Sequence, residues 1–268
     1  GGGFEECAKA SEAATLVPVN MFITVDKSGS MGNESKWDNA EAAFSAFFQD
    51  AEADGLRVAL RFWPDNGCDE SSCNIDTCSE PEVDLGALSD PAHEQALVSA
   101  FANQSPNGPT PMYAALGGAT KWAVDHTQMA EGAEKTVVIL VTDGEPNGCD
   151  ENIDNIAGHA SSAYSQAGVL TFAVGMAGSN ESDMNTIAAA GNTQTGFFIG
   201  NGNAQAELLA ALKAIQKTAV ACVFAMPESQ GPDPIDPNLV NVTYTPTTGD
   251  VVTLGPVSYT HLTLPTNR

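Results

Sequence analysis

Arginine is almost missing from this sequence. Arg57, Arg61 and Arg268 are the only three, and 10 Lys and Arg stand against 34 Asp and Glu, for a formal net charge of −24. A chain so poor in cations has no basic face to neutralise phosphates, which excludes nucleic acid as a partner. Its acidic surface suits an exported protein or a salty milieu, and concentrates divalent cations. Apolar runs of the ~20 residues that a transmembrane helix needs are missing too. So are the Gly-x-Ser-x-Gly elbow of serine hydrolases and the Gly-x-x-x-x-Gly-Lys loop that cradles phosphates. His93, His126 and His159 fall in or beside expected helices, with no Ser or Cys motif next to them. No nucleophile–base pair is legible, so the chain is not expected to be an enzyme. An initiating Met is also lacking: Gly1-Gly2-Gly3 reads as the end of a flexible tether, with any signal peptide or lipid tether upstream.

Cysteine, by contrast, is present six times, as Cys7, Cys68, Cys73, Cys78, Cys149 and Cys222. An even number, mostly in loops, favours disulfides and an extracytoplasmic, oxidising location: secreted, periplasmic or anchored at the cell surface. Six cysteines allow fifteen pairings. The expectation is Cys7–Cys222 across the two ends of the domain, with the other four stapling the 68–78 loop and the loop after Asp143. The rival is a zinc site from Cys68, Cys73, Cys78 and Cys149, against which stand the irregular spacings and the lack of a nearby His.

The 268 residues suffice for one large α/β domain and a small appendage. Residues 1–16 are a polar lead-in with weak helical character. Pro18 to Val25 is a short β-branched run, predicting a buried strand. A helix is predicted from Lys36 to about Asp54, burying Trp37, Ala40, Phe44, Phe47 and Phe48, and a second strand over Leu56–Trp63. Residues 65–82 are long enough to mark an insertion. Its Asp65, Asp69, Glu70, Asp76, Glu80 and Glu82 lack the order of a calcium-binding EF-hand loop, and a solvated, stapled loop is favoured. Then come an edge strand at Val83–Gly86 and helices at 90–103 and 112–126. Strands at 136–142, 169–175 and 196–199 alternate with helices at 152–166, 183–190 and 204–219. Such alternation predicts an α/β fold: a doubly wound, mostly parallel sheet with helices on both faces.

The loop after the first strand carries the chemistry. Asp26-Lys27-Ser28-Gly29-Ser30-Met31-Gly32 joins strand to helix at the carboxyl edge of the sheet, where ligands bind in open α/β folds. Asp26, Ser28 and Ser30 can aim three hard oxygens at one point, which suits Mg²⁺ and its near-octahedral oxygen shell. This Asp-x-Ser-x-Ser arrangement resembles the metal-ion-dependent adhesion site of von Willebrand factor A domains. Thr110, in Asn107-Gly108-Pro109-Thr110-Pro111, matches the family Thr, and Pro111 suits the first position of the helix that follows. Asp143, after the strand Thr136–Thr142, matches the family Asp.

The resemblance covers residues 17–220. It implies a metal set of Asp26, Ser28, Ser30, Thr110 and Asp143, with the hydroxyls binding Mg²⁺ directly and at least one Asp acting through water. Mn²⁺ or Ca²⁺ could take its place, since availability often decides. Such an ion stays electrophilic and can capture a carboxylate of a protein or matrix ligand. It also implies that the last helix, 204–219, shifts when ligand binds. The implied function is an exported, adhesion-type protein-binding domain of the bacterial, lipoprotein-like kind. The alternatives are a cell-surface structural module with a merely stabilising metal and, less favoured, a metal-assisted hydrolase using Asp26 and Asp143.

Residues 221–256 read as a β-rich extension, with Val240–Tyr244 and Val251–Leu254 flanking Thr248-Gly249-Asp250 as a hairpin. A lone hairpin is marginal, so the extension is expected to be truncated. Residues 257–268 resemble the translated read-through of a sequencing adapter and are expected to be non-native.

Overall fold

The computed structural model describes residues 18–53, 55–130 and 134–220, together with the backbone of 15–16, 222–223, 242–244 and 252–254. The chain divides into two units, residues 18–220, and 1–17 with 221–268. In the smaller unit, β1 (Thr15–Leu16) pairs antiparallel with Cys222–Val223. Val242–Tyr244 pairs antiparallel with Val252–Leu254, the hairpin expected from the sequence. The expected Cys7–Cys222 bridge, the helical character of the lead-in and the adapter-like tail lie outside the described residues.

The larger unit runs β2 (Val19–Asp26), α1 (Lys36–Phe48), β3 (Leu56–Trp63), α2 (Ile75–Cys78), β4 (Val83–Ala87), α3 (Pro91–Ala102), α4 (Met112–Met129), β5 (Lys135–Thr142), α5 (Ile153–Ala167), β6 (Leu170–Met176), α6 (Glu181–Ala190), β7 (Phe197–Ile199) and α7 (Ala204–Ala219). Six strands form one sheet in the order β4-β3-β2-β5-β6-β7. All neighbours are parallel except the edge strand β4, which runs antiparallel to β3.

The strands read as unbroken apolar runs because both faces of the sheet are covered. Successive side chains point to opposite faces. Met21, Ile23 and Val25 of β2 join one core, with α1, α3 and α7, while Phe22 joins the other, with α4, α5 and α6. On β5, Val137, Ile139 and Val141 alternate in the same way with Val138 and Leu140.

Several boundaries differ from the sequence reading for local reasons. The first helix stops at Phe48 and not near Asp54. Asp50 accepts a hydrogen bond from the Glu52 amide at 2.9 Å, and a 3₁₀ turn follows at Ala51–Ala53. A short polar side chain bonding its own backbone competes with helix in this way. The start of α6 moves two residues earlier, because the Asn180 side chain accepts from the amides of Ser182 and Asp183. Pro111 occupies the cap of α4, one position before the expected one.

The insertion holds the short helix α2, capped by Asn74, and two disulfides. Cys68 is bonded to Cys78 within it, and Cys73 to Cys149 in the loop beyond Asp143. The stapling expected from the sequence is therefore present, and the zinc rival is excluded because its four thiols are spent on sulfur–sulfur bonds. The helix α2 lies directly on α4 at Gly118. A methyl group there would meet the Cys78 backbone carbon at 2.3 Å. Gly118→Ala, although a better helix former, is expected to destabilise the domain by about 2–3 kcal/mol through overpacking. Urea denaturation measures it, and a stabilised variant would mean that α2 does not pack where it is described.

Candidate functional site

In doubly wound sheets the ligand crevice opens at the carboxyl ends of the strands, where the strand order reverses. Here the chain passes from β2 to β3 on one side and returns to β5 on the other, so the reversal lies between β2 and β5. Asp26 is the last residue of β2, and Asp143 directly follows Thr142, the last residue of β5.

Backbone hydrogen bonds lash three loops together around these two residues. The Lys27 amide donates to Trp63 O at 2.6 Å, Asn107 N donates to Lys27 O at 2.7 Å, and Gly29 N donates to Gly108 O at 2.9 Å. Asn147 N donates to Thr110 O at 2.9 Å, tying the third loop to the second. Gly108 has φ +91°, and a Cβ there would also lie 2.9 Å from Pro64 Cγ, so the close approach of these loops requires glycine.

The side chains converge within that frame. Asp26 accepts from the Ser28 amide at 2.6 Å and from the Thr142 hydroxyl at 2.6 Å. The Ser28 and Ser30 hydroxyls lie 3.1 Å apart, and Ser30 Oγ donates to Asp143 Oδ1 at 2.8 Å. The other Asp143 oxygen accepts from Lys36 Nζ, which also donates to Ala177 O at 3.1 Å. Thr110 closes the ring: a methyl built on Gly144 would sit 3.3 Å from Thr110 Oγ1 and 3.7 Å from Ser30 Oγ. The absent side chain leaves room between the loops. Asp26, Ser28, Ser30, Thr110 and Asp143 thus come together at one place, all buried except Ser30, which is half-buried.

Burial raises the Asp26 carboxyl to about 6, against the pull of its Thr142 and Ser28 hydrogen bonds, and the charge of Asp143 adds to the rise. A buried acid in that state, with no cationic side chain among its hydrogen-bond partners, is one that a cation would relieve. The cluster offers five residues with oxygen donors and no nitrogen or sulfur ligand, a set suited to Mg²⁺, Mn²⁺ or Ca²⁺. Among the described residues no three His, Cys, Asp or Glu side chains converge as a metal cage. The acids of the insertion therefore form no such cage, and the oxygen cluster is a hydroxyl site flanked by two carboxylates.

The family model for the von Willebrand factor type A domain matches residues 20–214, most of the chain. The chain belongs to the von Willebrand factor type A family. Its fold is similar to that of a von Willebrand factor type A structure from Catenulispora acidiphila, with TM-score 0.51 and 18% identity over 72% of this chain and 41% of that one. It is likewise similar to the vWF domain of the type V pili tip protein Mfa5 from Porphyromonas gingivalis, with TM-score 0.51 and 13% identity over 79% of this chain and 99% of that one. The chain thus spans less than half the length of the first of these. Comparison with curated proteins returned no match.

Two further residues of this von Willebrand factor A domain, Thr142 and Lys36, hold the cluster. Thr142 reads in sequence only as the end of a strand, yet its hydroxyl holds Asp26. Lys36 reads in sequence only as the start of a helix. Its position carried a signal, since a cation at the first residue of a helix opposes the macrodipole and needs another partner. That partner is Asp143.

Proposed function

We propose that this domain docks an acidic partner through a divalent cation, Mg²⁺ with Mn²⁺ or Ca²⁺ as alternatives, held by Asp26, Ser28, Ser30, Thr110 and Asp143. One observation carries the reading: three loops, lashed to each other by backbone hydrogen bonds, bring those oxygens together at the switch point between β2 and β5. A divalent ion bound there would supply an electrophile for one carboxylate oxygen of a protein or matrix ligand. The chain's own part is positioning. Thr142 and the Ser28 amide hold Asp26 in one orientation, and Ser30 faces Asp143 Oδ1. Both carboxylates are already engaged, Asp26 by Thr142 and the Ser28 amide and Asp143 by Ser30 and Lys36, so the groups present are arranged to bind and orient. The domain is read as non-enzymatic.

The two disulfides point to an oxidising compartment, and no helix among the described residues is long and apolar enough to cross a membrane. Placement outside the cytoplasm, secreted, periplasmic or anchored at the cell surface, is the proposal that the disulfides favour.

The test loads the domain with Mn²⁺ and titrates acetate and a short Asp-containing peptide, following water-proton relaxation. Loss of ion-bound water on carboxylate binding, absent in Thr110→Ala, is the expected result. Ion binding with no response to either carboxylate would leave a stabilising metal in a structural module. Mg²⁺-dependent cleavage of phosphate esters, lost in Asp26→Ala, would replace the docking role with a hydrolytic one.

A further inference from the structure

Three buried charged side chains meet at this end of the sheet: Asp26, Asp143 and Lys36. The third is out of place by ordinary rules, because α1 presents the positive end of its dipole where the Lys36 ammonium lies. Its side chain is 9% exposed and that of Asp143 is fully buried. Lys36 also bonds Ala177 O in the β6–α6 loop, so it spans from α1 to the far side of the site. Gly178 keeps that route open: its φ is +109°, and a Cβ there would lie 2.8 Å from Asp143 O and 3.7 Å from Lys36 Nζ. The backbone is shaped around the pair.

We propose that Lys36 is a built-in counter-cation that sets the affinity and the net charge of the candidate ion site. The inference rests on the divalent-ion reading given above. Lys36 occupies Asp143 Oδ2 and leaves Oδ1 to face Ser30. That contact opposes Asp143 when no ion is bound, so the loops remain assembled without one. It also places a positive charge one carboxylate away from any incoming cation, and in a buried setting like charges at such spacing repel strongly. Lys36 therefore weakens ion binding. The three side chains sum to −1, from two carboxylates and one ammonium, so a divalent ion brings the site to +1. One monoanionic carboxylate then neutralises it. Without Lys36 the loaded site would already be neutral, with a tighter ion and little attraction left for an acid.

The experiment uses the whole chain after chelator treatment, as wild type, Lys36→Met, Lys36→Gln and Lys36→Arg, with folding checked by circular dichroism. Mn²⁺ alone is titrated calorimetrically, and thermal unfolding is followed in EDTA and in Mg²⁺. The expected result is Mn²⁺ binding at least about tenfold tighter in Lys36→Met and Lys36→Gln. Their Tm in EDTA should fall and their Tm gain with Mg²⁺ should grow, while Lys36→Arg restores the weaker, wild-type affinity. Lys36→Gln, which can still hydrogen-bond Asp143, keeps the comparison available if Lys36→Met fails to fold. Wild-type Mn²⁺ binding with unchanged or weaker affinity in the folded neutral variants would overturn the role of Lys36 alone. Absence of binding in the folded wild type would instead overturn the ion site on which it rests.

Discussion

Phe101→Ala is expected to cost the domain about 3–5 kcal/mol, the usual range for emptying a fully buried aromatic site. Phe101, on α3, is the hub of an aromatic cluster. Its ring centroid lies 4.8 Å from Phe62 edge-on, 4.9 Å from Phe44 stacked, 5.7 Å from Trp37 and 6.3 Å from Phe48. Such pairs contribute ~0.5–1.5 kcal/mol each beyond the area they bury. The cluster joins α1, α3 and β3 in the core that also takes in α7. Urea unfolding at constant m measures the loss. A cost below about 1 kcal/mol would mean that the helices collapse into the space, and that this core is less tightly determined than its geometry indicates.

Asp26→Asn is expected to move stability and ion binding in opposite directions. Asn keeps an oxygen for the Ser28 amide and can donate to Thr142, so the loop retains its shape while the buried charge goes. For an acid whose folded pKa, about 6, exceeds its ordinary 3.8, folding is favoured below the unfolded value, and that gain is lost as pH rises through the folded one. In EDTA, therefore, wild type and Asp26→Asn should lie within roughly 0.5 kcal/mol of each other near pH 4. By pH 7 the variant should be the more stable by roughly 3 kcal/mol, the worth of about two pKa units in a group that water does not screen. Added Mg²⁺ should stabilise wild type at pH 7 and leave the variant unmoved, with ion affinity down by more than about a hundredfold. Denaturation midpoints across pH 4–8, with and without Mg²⁺, give all of this. A pH profile shared by the two proteins would contradict the account of Asp26 as an uncompensated buried acid.

The extent to which the sequence disclosed these features follows from how local each one is. The strands were legible because burial on both faces leaves unbroken runs such as Val137–Val141, and a run needs no knowledge of its neighbours. The Asp26-x-Ser28-x-Ser30 loop was legible for the same reason: its oxygens are adjacent in the chain. Thr110 and Asp143 had to be matched through a family pattern, because only the sheet order brings their loops beside the first. The roles of Lys36 and Thr142 are not legible in the sequence. Their roles exist only across 107 and 116 residues of separation, and neither residue type announces such a contact. Helix ends are not legible where a side chain, Asp50 or Asn180, bonds nearby backbone, a competition that apolar periodicity does not register. The two described disulfides are legible as staples, but their pairing is set by the fold, since six cysteines in sequence admit too many connections.

Calorimetric titration of Mg²⁺ into the chelator-treated domain, beside Asp26→Asn, is the most direct test of the central claim. One ion bound per chain in wild type and none in the variant is the expected result. No binding to a wild type shown to be folded would contradict the claim, leaving a von Willebrand factor A scaffold whose oxygen cluster does not hold a cation.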